Sequence, residues 1–167
     1  MILSVTGHRP DKLGGYTPKA FDELVRVAKV SLDLLLPEHV ITGMAMGWDM
    51  AIAKACVDKG IAFTAAVPFK GQESRWQPQD QQRYKYYLSR ASTIEIISPG
   101  NYAPFKMDVR NRWMVDQSDT VLSLYNGDRE GGTANCVAYA KKKKKTLYNA
   151  WRIYKKEAIV LTKVEYD

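Results

Sequence analysis

Four short segments of this chain bring together residue types that hold anions or move protons. Thr6-Gly7-His8-Arg9-Pro10 sets a hydroxyl, an imidazole and a guanidinium around a glycine. Gly43-Met44-Ala45-Met46-Gly47-Trp48-Asp49 leads two glycines into an aromatic ring and a carboxylate at a helix start. Arg110 and Arg112 share another helix, and Gly131-Gly132-Thr133 opens a last one. Glycines let a backbone approach a ligand closely, and the first turn of a helix presents free N–H groups to an anion. An arginine adds a planar fork whose charge does not depend on pH. Taken singly these signals are ordinary: Gly-Gly-Thr is a common helix start, Gly43 and Gly47 also suit plain turns, and an arginine on a helix is usually solvated. Their weight depends on whether one fold brings them to the same place.

Apolar runs alternating with helix-period segments supply that fold. Ile2–Val5, His39–Thr42, Phe63–Val67, Thr93–Ile97, Thr120–Leu124 and Thr146–Asn149 read as strands, each closed by glycine, proline or polar residues. Between them lie helices opening at Thr17-Pro18, Trp48, Pro78, near Asp108 and at Thr133, with Gly60 stopping the second. Strand and helix in repeated alternation specify a three-layer α/β, Rossmann-like domain with a mainly parallel sheet of about five to six strands. It is expected over residues 1–150. Residues 151–167 are expected to form a basic C-terminal extension, with Ile159–Val164 as an edge strand or tail. In such a sheet, ligands sit beyond the carboxyl ends of the strands, where strand order reverses. All four segments map to that edge.

In this order the motifs resemble the SLOG superfamily of Rossmann-like nucleotide-binding proteins, in particular its small stand-alone bacterial and phage members. "TGHRP", "TGMAMGWDMAIAKA" and "RNRWMVDQSDTVLSLYNGDREGGTANCVAYA" carry the likeness over about residues 1–149. Two branches bracket the chain. The Lonely Guy phosphoribohydrolases, which release the base from a nucleoside 5′-monophosphate, share the order Arg110, Met114, Asp119, Gly131-Gly132-Thr133. Their glutamate three positions after the threonine is Cys136 here, and a thiol cannot stabilise an oxocarbenium-like ribose. The DNA-processing protein A family, which binds single-stranded DNA, has a loop that looks like Thr42–Asp49.

The expected ligand is a nucleotide or nucleotide derivative, bound by Thr6, Gly7, His8, Arg9, Gly43, Gly47, Trp48, Arg110, Gly131, Gly132 and Thr133. If the chain is an enzyme, the resemblance implies hydrolysis of an N-glycosidic bond, with Arg110 on phosphate or sugar and a carboxylate from another loop, Asp49 or Glu73, beside the anomeric carbon. The alternatives are a non-catalytic sensor or sequestering protein, and a single-stranded nucleic-acid binder. Trp48, Trp76 and Trp113 are candidate stacking platforms, although aromatic rings beside loops usually belong to core or rim.

Charge bears on the last alternative. The net charge is +7, yet residues 141–167 hold nine Lys/Arg against three Asp/Glu, whereas residues 1–140 hold sixteen against fifteen. The near-neutral body argues against a broad basic groove. Lys141–Lys145 caps a helix C-terminus, where positive charge is favourable. No basic-then-apolar leader or long apolar run is visible, and the two cysteines read as reduced core residues, so a cytoplasmic, membrane-free protein is expected. The two histidines show no metal-ligand spacing, and neither a metal nor a cofactor is expected. Folds of this type often assemble, so a homo-oligomer is expected.

Overall fold

The computed structural model describes residues 1–167. Six strands run parallel in part or all of a seven-stranded sheet: β1 (Ile2–Gly7), β2 (His39–Thr42), β3 (Ala62–Val67), β4 (Thr93–Ile96), β5 (Thr120–Leu124) and β6 (Thr146–Asn149). The helices are α1 (Pro18–Leu35), α2 (Trp48–Lys59), α3 (Pro78–Arg90), α4 (Phe105–Asp116), α5 (Gly132–Lys142) and the short α6 (Trp151–Tyr154). A two-residue β7 (Thr162–Lys163) then pairs antiparallel with β6.

Strand order is β4-β3-β2-β1-β5-β6-β7. The chain steps outward from β1 to β4, then returns to lay β5 on the other side of β1. The reversal point is therefore the β1/β5 pair, in register from Leu3↔Thr120 to Gly7↔Leu124. Helices α1, α2, α3 and α6 cover one face; α4 and α5 cover the other. This is the expected three-layer α/β architecture, with one strand more than expected.

Local chemistry explains most boundaries. Thr17 Oγ1 accepts the Ala20 amide at 3.1 Å, with Pro18 in the first helical turn, so α1 starts as its sequence predicts. Gly60, at φ +69°, ends α2 in the left-handed conformation. Helix α4 begins three residues before the expected Asp108, because Pro104 already sits at φ −55° and ψ −39° and preorganises the turn. All four residues of β4 are exposed, Ile94 and Ile96 included, since β4 is the outer strand of the sheet.

The C-terminal extension packs on the domain. Ile153 of α6 is buried in the main core, and β7 covers the edge of β6. At the amino-terminal edge, Asp119 ties β5 to β1 twice: Ile2 N donates to its Oδ2 at 2.8 Å, and its own amide donates to Ile2 O at 2.9 Å. This Asp119, one of the residues shared with the phosphoribohydrolases, thus lies opposite the ligand edge.

Candidate functional site

Beyond the carboxyl ends of β1 and β5 lies an open cleft of about 880 Å³. Its floor is the end of β1, Val5 to Arg9; one wall is α4, with Met107, Arg110 and Asn111; the opposite lip is the loop into α5, Glu130 to Thr133. Asp49, from the first turn of α2, and Ala45 close the base.

Two glycines set the floor by close approach. A Cβ on Gly7 would lie 2.5 Å from Trp48 Cδ1 and 2.7 Å from Trp48 Cβ, so β1 passes directly over the indole. A Cβ on Gly43 would lie 2.5 Å from Arg110 Nη1 and 2.8 Å from Asp49 Oδ2. Neither glycine has a positive φ, so space, and not backbone conformation, requires them. Gly47 is different: its φ of +93° and the His8 carbonyl, 2.7 Å from a Cβ placed there, both demand glycine.

Arg110 is 4% exposed and holds this floor together. Its Nη1 donates to Gly43 O at 2.6 Å and Ala66 O at 3.1 Å, and Nε donates to Asn111 Oδ1 at 2.9 Å. Gln72 Nε2 donates to the same Gly43 carbonyl at 3.1 Å. Nη2 makes no hydrogen bond within the protein, and Arg110 lines the cleft. Burial pushes the Asp49 carboxyl above the ordinary carboxylate value, opposed by nearby Arg110 and by the Ala45 amide. A carboxyl moved toward neutrality beside a guanidinium suits proton transfer. Gly43→Ala is expected to force these two heads apart and cost about 2 kcal/mol, read as a lower urea midpoint. An unchanged midpoint would mean the floor yields without cost.

His8 shows how the β1 and β5 loops are joined. It is 6% exposed, and Asn126 N donates to its Nε2 at 3.0 Å, so that nitrogen must be unprotonated and the proton sits on Nδ1. Burial lowers the His8 pKa below its ordinary 6.5. With the folded value below the unfolded one, His8 contributes stability that is present above the unfolded value and lost as pH falls through the folded one. By NMR, its ring is expected to titrate below 6.5, and the Asn126 amide to lose protection over the same range. A ring titrating at or above its ordinary value would contradict this account.

A family model described as the YspA SLOG family matches residues 3–158. The chain belongs to the YspA SLOG family. A relative, the uncharacterized SPbeta prophage-derived protein YoqJ of Bacillus subtilis strain 168, is 33% identical over 141 residues, 74% of this chain and 81% of its own. Among solved structures, DNA processing protein A from Helicobacter pylori, whose single-stranded DNA binding mode has been described, superposes with a TM-score of 0.63 at 17% identity. The match covers 89% of this chain but only 64% of that protein. The molybdenum cofactor binding protein from Rippkaea orientalis gives 0.56 at 17% identity, covering 93% and 80% respectively. At such identities the two structures speak for the fold alone.

Within this SLOG domain, the structure gathers most of the expected site. Thr6, Gly7, His8, Arg9, Asp49, Arg110, Gly131, Gly132 and Thr133 all line the cleft. Gly43 and Gly47 shape it from beneath. Trp48 does not line it: the indole is fully buried under Gly7, leaving no face for a base to stack on. Glu73 is not among the cleft residues either; its carbonyl caps Trp76 N and Gln81 Nε2 in the β3–α3 loop. Cys136, in place of the phosphoribohydrolase glutamate, is 4% exposed, and burial pushes its thiol up to about 11. It is a neutral core group. Arg112 points to the surface, where Nε donates to Asp108 Oδ2 at 2.9 Å.

Sequence reasoning missed Glu130 and Asn111. Glu130 supplies a carboxylate on the α5 lip, immediately before Gly131 and not three residues after Thr133. Asn111 was visible as the residue following Arg110, whose Nε it receives.

Proposed function

We propose that the cleft binds a nucleotide or nucleotide derivative, its phosphate at the amino-terminal end of α5 and its sugar toward Asp49 and Arg110. One observation carries this reading. The Gly131-Gly132-Thr133 helix start opens into the same cleft as Arg9 and the buried Asp49, at the reversal point of the sheet. A Cβ at Gly131 or Gly132 would meet nothing within 4 Å, so the lip leaves room for an anion against the first-turn amides.

The same arrangement supports hydrolysis of a nucleoside 5′-monophosphate at the N-glycosidic bond. Asp49 would stabilise positive charge at the anomeric carbon, and Arg110 Nη2 would hold the sugar or phosphate. Glu73, away from the cleft, has no part in that scheme, whereas Glu130 offers a second carboxylate able to take a proton from water.

Nucleic-acid strand binding has less support. Lys141 and Lys142 form the last turn of α5, about 15 Å along the helix from its cleft end. The lysine run thus lies at the opposite edge of the sheet, and within the cleft Asp11, Asp49 and Glu130 balance Arg9, Lys12 and Arg110, so the cleft is no continuous basic groove for a strand. The test is a panel of nucleoside 5′-monophosphates, with thermal midpoint and base release measured together. At a hundred times its Kd a ligand adds about 2.7 kcal/mol, a rise of roughly 5–10 °C for a domain of this size. Free base on chromatography would establish hydrolysis; stabilisation without it would leave a sensor or sequestering protein. No stabilisation and no base release from any of them would overturn the nucleotide reading.

A further inference from the structure

The cleft does not end at Arg9. Arg9 and Met107 line a second open cavity of about 990 Å³, between the β3–α3 and β4–α4 loops. Its surface is aromatic and cationic. Phe69 forms the inner wall at 5% exposure, and Tyr102, 64% exposed, stands edge-on to it with centroids 5.8 Å apart and planes at 74°. Trp76 is held edge-on against buried Tyr84 at 5.3 Å. Arg9 and Arg75 are both exposed at this cavity, and no carboxylate of the fold is paired with either.

Tyr102 is the informative residue. An aromatic ring with most of its surface in water, fixed by a second ring behind it, is a ready platform for a planar partner. Alanine substitution places base stacking on such a ring at roughly fivefold to 150-fold in affinity. Between this platform and the α5 lip stands Arg9, which lines both spaces and whose charge suits a phosphate shared by two halves of one ligand.

We propose that this cavity is a second subsite, and that the protein takes a dinucleotide: one unit in the cleft, the linking phosphates at Arg9, the second base on Tyr102 and Trp76. The inference rests on the nucleotide reading of the first cleft. It favours a free dinucleotide over a strand, because the first cleft is charge-balanced, three carboxylates against three cations, and the lysine run that could extend a basic track faces away.

Titration calorimetry of the full chain tests it. The probes are the four nucleoside 5′-monophosphates, the matching symmetric dinucleotides joined 5′–5′ through pyrophosphate, and ten-residue single strands. At least one dinucleotide is expected to bind about tenfold more tightly than its monophosphate. Tyr102→Ala, at an exposed position, is expected to erase that advantage while leaving the monophosphate affinity and the thermal midpoint unchanged. Equal affinity of mono- and dinucleotide in the wild type would overturn the second subsite alone. So would a Tyr102→Ala variant that weakens both alike, or a strand that binds more tightly than any dinucleotide. Failure of every nucleotide to bind would overturn the first cleft's reading and this one with it.

Discussion

Gly7→Ala is expected to lower the thermal midpoint by about 10 °C, corresponding to roughly 3 kcal/mol for a domain of this length. The added methyl group would lie 2.5 Å from Trp48 Cδ1 and 2.7 Å from both Cβ and Cγ. Contact with the Cβ matters most, because rotating the indole cannot move that atom away. Relief requires α2 to shift from β1, and α2 is nearly continuous with the core: Met50, Ala51, Ile52, Ala53, Ala55 and Cys56 are all buried. Interiors packed at crystal density do not accept such a shift locally. Gly132→Ala is the control, since a Cβ there meets nothing within 4 Å. A Gly7→Ala midpoint within about 1 °C of the parent would mean that β1 can rise off the indole freely.

Gly132→Val separates binding from folding in the opposite sense. Gly132 is the first residue of α5, exposed, with no positive φ and with open space where a side chain would go. Valine there costs the fold little, because a β-branched residue in a first turn loses only a few tenths of a kcal/mol. Its two methyl groups, however, occupy the space directly above the first-turn amides, where the proposed phosphate sits. Nucleotide affinity is expected to fall at least about a hundredfold, close to 2.7 kcal/mol, while the thermal midpoint of the unliganded protein stays within about 2 °C. Calorimetry checks the first and a melting curve the second. Unaltered affinity would remove the phosphate from the α5 lip.

The parts of this protein readable from sequence are those with local causes. Proline and glycine punctuation placed Thr17-Pro18, Gly60 and the five crossovers because those residues act on their own backbone. Met114, one helical turn after Arg110, packs inward at 2% exposure beside Ile41 and Ala66, as a spacing of four on one helix allows. Nonlocal facts were beyond reach. Trp48 follows a glycine-rich loop and so reads as a ligand platform, but its burial is decided by Gly7, forty-one residues earlier and across the layer. Thr93-Ile94-Glu95-Ile96 reads as a strand, but only the strand order, which no local residue encodes, leaves it outermost. Glu130 went unnoticed for a similar reason: only the folded α5 lip turns a carboxylate in a polar loop into a cleft residue. Tyr102 and Trp76 come from two loops whose meeting no spacing announces.

The walls of the cleft come from residues 5–12, 45–49, 107–111 and 130–133, and the strand that floors it is the first one made while its lip belongs to nearly the last. Because β1 lies between β2 and β5, detaching either the early or the late half of the sheet dismantles the floor. The outer strands β4 and β7 contribute nothing to the cleft, whereas any opening that parts β1 from β2 or from β5 loses it. A ligand held there would therefore add its binding free energy to the stability of the sheet against any opening that separates those central strands. Filling the cleft would thus tie the amides of β1 to the opening of the central strands, while those of β4 and β7 stay free to fray.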